Sequence, residues 1–309
     1  MATVLVLGGY GAVGRPVVAL LREGGDTAIT AGRDAARADR PVDLAETGLR
    51  SYLGALAGID VVVNASGAED PRLAELATAR GAAFVDITAT ASYIAALERL
   101  DAPRPVLVSV GLAPGLTNLL AAAVHERAAG PVDLAVLLGA GEKHGAAATE
   151  WSYRLLGRRF RAHGATIRNY TRPAPFDLPG HGRRRLRRLD FSDQHTLSRD
   201  LGTRVRTYFG LDSRPASAAL AVLTWIPGGS RAPRGLHPPG GDEWLLLARG
   251  SDGTTRWARG RGQSHGTAIM TAVAARAAPG LPPGTHHLHR VLALGDLPAD
   301  QGIEIAPAG

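Results

Sequence analysis

The chain reads as an α/β protein: a doubly wound parallel sheet interrupted by an α+β domain built on a mostly antiparallel sheet. Three observations predict this. Short apolar runs alternate with helix-period segments through the first 125 residues. The opening run stops at glycine and leads through a glycine-spaced turn straight into a helix. Beyond residue 125 the texture changes, with an Arg/Pro/Gly stretch at 166–188 and a hairpin signal at 250–253, before a long Ala-rich helix at 264–277. That helix is expected to return to the first domain, which makes 126–263 an insertion and assigns 1–125 with 264–309 to the nucleotide-binding part.

The first strand is Val4 to Leu7, apolar at every position as in a strand buried on both faces. Gly9, Gly11 and Gly14 then fit G-x-G-x-x-G. A chain with 39 glycines produces that pattern by accident, so the context decides: a strand precedes it and a helix with Val13, Val17, Leu20 and Leu21 on one face follows. Gly9 is expected to make the tight turn, Gly11 to let backbone approach a pyrophosphate, and Gly14 to let helix pack on strand. The helix N-terminus offers N–H groups to phosphate oxygens. The stretch Gly8, Gly9, Tyr10, Gly11, Ala12, Val13 and Gly14 is therefore the expected cradle of a dinucleotide, and the sheet is of the Rossmann type.

A second strand, Thr27 to Ala31, ends at Gly32-Arg33-Asp34, about 20 residues past the glycines, where a carboxylate selects NAD and arginine accommodates the 2′-phosphate of NADP. Arg33 points to NADP, and the adjacent Asp34 keeps NAD open as the lesser alternative. Asp43-Leu44 either ends a third strand near the adenine or forms a plain turn. Leu49, Leu53 and Leu56 give a crossover helix. The strand at 60–64 ends in Asn64, and Ala65, Ser66 and Gly67 follow at its carboxyl end, the edge where doubly wound sheets bind ligands. A helix near 71–80, a strand at 83–87, a helix near 92–100 and a strand at 106–110 continue the alternation. In the middle portion, strands are expected at 132–138, 203–209, 243–248 and 254–258, with Asp212 or Ser213 capping a helix at 216–223. The segment 166–188 reads as irregular, Pro282-Pro283-Gly284 as a turn, and 302–305 as a small final strand.

Composition narrows the function classes. The chain has 309 residues, 45% of them hydrophobic, with no apolar run of the roughly 20 residues that span a bilayer. Strand structure begins at once with no leader, so a cytoplasmic protein without a membrane partner is expected. The absence of cysteine excludes disulfides, thiolate catalysis and cysteine-ligated metal. The charge of +7 rests on 34 arginines and a single lysine, Lys143, a GC-rich coding style. Eleven arginines fall between Arg154 and Arg188 and form a solvated face or loop, or a surface for phosphates or an acidic partner. No nucleic-acid motif accompanies them, so no nucleic-acid partner is expected. His286, His287 and His289 lack a zinc spacing and read as a solvated loop, so no metal is expected.

Groups able to move a proton are sought at the sheet's carboxyl edge. Asp86 and Thr88 follow a strand there, and Asp86 is either a catalytic carboxylate or the cap of a turn. Asn118 either orients a carbonyl or ends a helix turn. Glu142-Lys143-His144-Gly145 follows a strand of the middle domain. His144 has the intrinsic pKa range for proton transfer, and Lys143 is a compact ammonium where arginine serves everywhere else. Glu150, Trp151 and Tyr153 line a substrate pocket or simply pack.

Taken together, GGYGAVG at 8–14, AGRD at 31–34, DVVVNASG at 60–67, AAFVDIT at 82–88 and GLAPGLTNLLA at 111–121 resemble the saccharopine dehydrogenase-like family of NAD(P)-dependent oxidoreductases. The C-terminal PPGTHHLHRV and GIEI are similar to its ending, while the middle of the chain matches poorly. The resemblance implies an NADP-binding domain, an α+β domain that closes over the cleft and forms a homodimer, and reduction of a C=N or conjugated C=C bond of a small molecule. Alternatives on the same scaffold are a non-catalytic NADP-binding regulator of the NmrA type and a cyclase or isomerase.

Overall fold

The computed structural model describes residues 1–141, 151–229, 240–298 and 302–306. The chain divides into two compact units, Met1–Gly115 with Ser264–Leu297, and Leu116–Gln263 with Pro298–Gly309. The helix after Gly115 thus lies in the second unit, as does the last strand.

The first unit is built on a seven-stranded parallel sheet. Its strands are β1 (Thr3–Leu7), β2 (Thr27–Gly32), β3 (Arg40–Pro41), β4 (Val61–Asn64), β5 (Ala83–Asp86), β6 (Pro105–Val108) and β15 (Gly284–His287), in the spatial order β15-β6-β5-β4-β1-β2-β3. The order reverses at β1, which pairs with both β2 and β4, so the switch point of the doubly wound sheet falls at the glycine turn. Helices α1 (Gly14–Glu23), α2 (Arg50–Ala55), α3 (Arg72–Ala79) and α4 (Ala91–Leu97) supply the crossovers. The central strands β1, β4, β5 and β6 are buried on both faces, and one core gathers Leu5, Leu7, Val62, Phe84 and Val106 with Tyr52, Leu73, Ile94 and Leu97 from the helices. Tyr52 keeps its hydroxyl satisfied there by donating to the Leu73 carbonyl at 2.8 Å.

β15 is a correction to the sequence reading, which makes a solvated loop of its histidines. The strand completes the sheet beside β6, with Thr285 donating to the Leu97 carbonyl at 2.8 Å. His287 is 4% exposed. Its ring lies 3.0 Å from Ser109 Oγ through Nδ1 and 2.7 Å from Glu98 Oε1 through Nε2. Partners for both ring nitrogens let a polar residue occupy a buried strand position.

The second unit carries a mixed seven-stranded sheet of β7 (Val132–Leu138), β10 (Thr171–Leu178), β11 (Gly182–Arg188), β12 (Val205–Leu211), β13 (Glu243–Gly250), β14 (Thr255–Arg261) and β16 (Ile303–Ile305), ordered β10-β11-β12-β7-β13-β14-β16. Every pairing is antiparallel except β12 with β7. A small hairpin joins β8 (Arg159–Ala162) to β9 (Ala165–Arg168). Helices α5 (Leu116–Arg127), α6 (Ser192–Asp200) and α7 (Arg214–Leu223) belong to this unit, and Ser213 caps α7 by accepting from Ala216 N–H. The remaining long helix, α8 (Gln263–Ala277), joins the first unit, where Arg276 pairs with Asp26 at 2.9 Å.

The segment read as irregular is ordered: β10 and β11 form a hairpin in continuous register from Pro173↔Arg187 to Leu178↔Gly182. Phe176, Leu178 and Leu186 turn inward to join Ala135, Leu137, Tyr208, Leu245 and Leu247 in a core, while Arg183 and Arg185 face water. Phe176 meets Tyr208 at 5.2 Å between ring centroids and takes the Arg249 guanidinium at 4.3 Å. Pro173 and Pro175 lie on the terminal strand of the sheet, where a missing N–H breaks no ladder. A buried aromatic of this kind costs about 3–5 kcal/mol when cut to alanine, and an exposed surface change about 0.5 kcal/mol or less. Phe176→Ala is expected to lower the urea midpoint strongly, and Arg185→Ala to leave it almost unmoved; equal effects would contradict the inward and outward assignment of the hairpin.

Candidate functional site

The site is assembled at the carboxyl edge of the parallel sheet, beginning where β1 ends. Gly8, not Gly9, takes the left-handed conformation of the turn (φ 72°), and its N–H and that of Gly9 both donate to the Ala31 carbonyl of β2. A Cβ on Gly8 would lie 2.8 Å from Ala65 O and Ser66 Cα, so the turn is pressed against the loop after β4. A Cβ on Gly14 would run into the Gly8 carbonyl, which accepts from Gly11 N–H at 2.8 Å. The first residue of α1 therefore has to be glycine. No side chain caps α1 and no acidic residue sits in its first turn. Among the described residues, the N–H groups of Ala12 and Val13 make no hydrogen bond. Free donors at a helix start suit phosphate oxygens, so this cradle fits the pyrophosphate of a dinucleotide.

The loop that meets the glycine turn is held from below. Asn64 and Asp86 are the last residues of β4 and β5 and sit in register. Asn64 Nδ2 donates to Asp86 Oδ2 at 2.7 Å and to the Ala68 carbonyl at 2.9 Å. Its Oδ1 accepts from Ser66 Oγ at 2.7 Å and from Ser66 N–H at 3.3 Å. Three of these contacts bind the side chain to the loop that contains Ser66 and Gly67, and the fourth ties it to the end of β5. Asp86 Oδ1 accepts from Thr88 N–H at 2.7 Å, capping the turn after β5, and Oδ2 also accepts from the Tyr93 hydroxyl at 3.1 Å. Asp86 is 1% exposed, and burial pushes its carboxyl above the ordinary carboxylate range against the downward pull of Thr88, Asn64 and Tyr93. Burial also pushes the Tyr93 hydroxyl up, with the Asp86 charge adding to it, so that hydroxyl stays protonated and donates.

At the other end of the cradle, Arg33 follows β2 and is exposed, with no ion pair among the described residues. Asp34 is occupied locally: its Oδ1 accepts from Ala36 N–H at 3.0 Å, and its carbonyl closes a turn by accepting from Arg37 and Ala38 N–H, each at 3.0 Å. Tyr10 reaches across from the glycine turn. Its hydroxyl accepts from Asp34 N–H at 3.1 Å, and its ring packs on Gly32 so closely that a Cβ there would meet it at 2.6 Å. Asp43 is exposed; its Oδ1 accepts from Ala45 N–H at 3.0 Å and its N–H donates to Ser51 Oγ at 3.0 Å, so it forms a turn just beyond the short β3.

The structure thus gathers Gly8 to Gly14, Arg33, Asn64, Ser66, Gly67, Asp86 and Thr88 along one edge of one sheet. Lys143, His144, Glu142 and Glu150 lie outside the described residues. Asn118 is buried in α5 of the second unit, where its neighbour Thr117 donates to Asp193 at 3.0 Å. Trp151 packs against Phe191 with tilted rings, 4.9 Å between centroids. Among the described residues no group of three His, Asp or Glu side chains is placed to hold a metal, and no helix is long and apolar enough to cross a membrane. Sequence reasoning passes over Arg37 and Tyr93; Arg37 stands four residues beyond Arg33, and that spacing is the signal that could have found it.

No family model matches the chain and no curated protein matches it. Among solved structures, apo saccharopine dehydrogenase (L-Glu forming) from Saccharomyces cerevisiae is similar with a TM-score of 0.60 at 15% identity, covering 94% of each chain. Amine dehydrogenase from Mycobacterium smegmatis is similar with a TM-score of 0.51 at 13% identity, covering 94% of this chain and 96% of that one. At such identities the likeness is one of fold: the chain has a two-domain Rossmann-type fold like that of saccharopine dehydrogenase.

The raised Asp86 carboxyl carries a pH dependence. The unfolded carboxyl ionises near 3.9 while the folded one holds its proton to higher pH, so the stability it contributes is full below about 3.9 and is lost as pH rises through the folded value. Asp86→Asn lacks this titration. The wild type's unfolding free energy relative to Asp86→Asn is therefore expected to fall as pH is raised from about 4 toward neutrality, as measured by urea titration at each pH; a rising difference would reverse the sign.

Proposed function

We propose that the chain is an NADPH-dependent oxidoreductase that reduces an imine or conjugated C=C bond of a small metabolite. One observation carries the cofactor choice: at the carboxyl end of β2, Arg33 is exposed without an ion-pair partner while Asp34 closes its own turn on Ala36. The residues fit the cofactor. Ala12 and Val13 N–H groups would take the pyrophosphate, Arg33 the 2′-phosphate and Asp43 the adenine side, with Asn64 and Asp86 fixing the Ser66-Gly67 loop against Gly8. When bound, NADPH supplies a hydride; the protein's share is to orient, to exclude water and to deliver a proton. Lys143 and His144 are the proposed sources of that proton, and Asp86 acts through the groups it positions. The fold is shared with dehydrogenases named for saccharopine and for amines, which favours a carbon–nitrogen bond. The reading includes a cytoplasmic homodimer acting on a small molecule, with specialised metabolism as its setting.

A guanidinium on a phosphate makes charge-assisted hydrogen bonds of roughly 1.5–3 kcal/mol, so Arg33→Ala is expected to weaken NADPH binding about ten- to a hundredfold and to spare NADH. Fluorescence titration of both reduced cofactors checks this. Tighter NADH binding by the wild type, or equal losses for both cofactors, would defeat the assignment. Once a substrate is in hand, Lys143→Arg and Lys143→Ala should both reduce turnover, because a guanidinium does not release a proton near neutrality; unchanged turnover in both removes Lys143 from the mechanism.

A further inference from the structure

Four residues after Arg33 stands a second guanidinium. Arg37 lies over the Tyr10 ring, its guanidinium carbon 4.4 Å from the centroid, and donates through Nη2 to the Tyr10 carbonyl at 3.3 Å. The residues between form a helix-like turn, since the Asp34 carbonyl accepts from both Arg37 and Ala38 N–H. That turn spans Asp34 to Ala38, and Arg33 is the residue that enters it. The neighbouring carboxylates are engaged elsewhere: Asp34 Oδ1 accepts from Ala36 N–H, and Asp39 Oδ2 accepts from Arg22 and Thr30. Among the described residues neither Arg33 nor Arg37 has an ion-pair partner. Arg37 is held in place, because Tyr10 takes it by its ring face and its carbonyl, and Tyr10 is itself fixed against Gly32 and by Asp34 N–H.

We infer that Arg37 is a second specificity-determining residue for a ribose phosphomonoester and that Tyr10 is the positioning residue that presents it. The inference rests on the NADPH reading and deepens it. Tyr10 belongs to the glycine turn and Arg37 to the turn after β2, so the stack ties the pyrophosphate cradle to the site of the 2′-phosphate. A dianionic phosphate accepts charge-assisted hydrogen bonds from each guanidinium that reaches it, whereas the neutral ribose hydroxyl of NADH offers no such charge. The subsite therefore adds discrimination between the two cofactors beyond what Arg33 alone supplies.

The test titrates wild type, Arg37→Ala, Arg37→Lys and Tyr10→Phe with NADPH, NADH and adenosine 2′,5′-bisphosphate, the last reporting on this end of the site alone. Arg37→Ala is expected to weaken NADPH and the bisphosphate about tenfold and to leave NADH within about twofold. Arg37→Lys retains charge but not the planar stack, and recovers only part of the loss. Tyr10→Phe keeps the ring and stays within about threefold of wild type. Binding of NADPH that survives Arg37→Ala, or equal losses of NADPH and NADH, would overturn the inference while leaving the cofactor reading intact. A wild type that binds neither dinucleotide overturns both.

Discussion

The contact of Gly14 with the Gly8 carbonyl is the constraint on which the first unit depends. It sets α1 against the end of β1 with no atom to spare, and so fixes where the helix's unpaired N–H groups stand. Since β1 is flanked by β2 and β4, the same contact places those donors at the point where the strand order reverses and a crevice opens. The Ala31 carbonyl of β2, accepting from Gly8 and Gly9, and the loop after β4, touching Gly8, hold the turn from both sides.

The polar lock beneath that turn works against stability. A carboxyl as buried as Asp86 would be easier to accommodate as an apolar residue, and its raised affinity for a proton measures that cost. Three donors keep it in place, and through Asn64 it governs a loop it does not touch directly. Polar networks of this completeness fix one arrangement of their members, which is what a loop bordering a ligand requires.

Legibility in the sequence followed the physics of each element. The glycine turn was readable because close packing leaves a one-residue vocabulary, and α1 because Val17 and Leu21 recur on its buried face. The exchange of roles between Gly8 and Gly9 was not, since a motif gives spacing and not φ. The β10–β11 hairpin was hidden because its inward apolar set is only Phe176, Leu178 and Leu186, outnumbered by arginines on both faces of β11, with Arg183 and Arg185 exposed and Arg188 buried. β15 was hidden because histidine at a buried strand position is tolerated only through Ser109 and Glu98, both far away in sequence. The Arg37 stack depends on Tyr10, 27 residues earlier, a pairing that no local pattern announces.

The placement of β15 has a bearing on how the chain is made. Ser109 and His287 are separated by 178 residues, and nearly the whole second unit lies between them. A nascent chain emerging from the ribosome presents β1 to β6 long before the strand that covers the open side of β6 has been synthesised. Until then β6 is an edge strand with exposed pairing groups, the state most prone to join a wrong partner. Closing so long a loop as free coil is entropically unfavourable, and prior folding of the intervening residues into their own sheet shortens the effective loop. The first unit is thus begun first but closed only when β15 emerges, after every strand of the second sheet except the terminal β16.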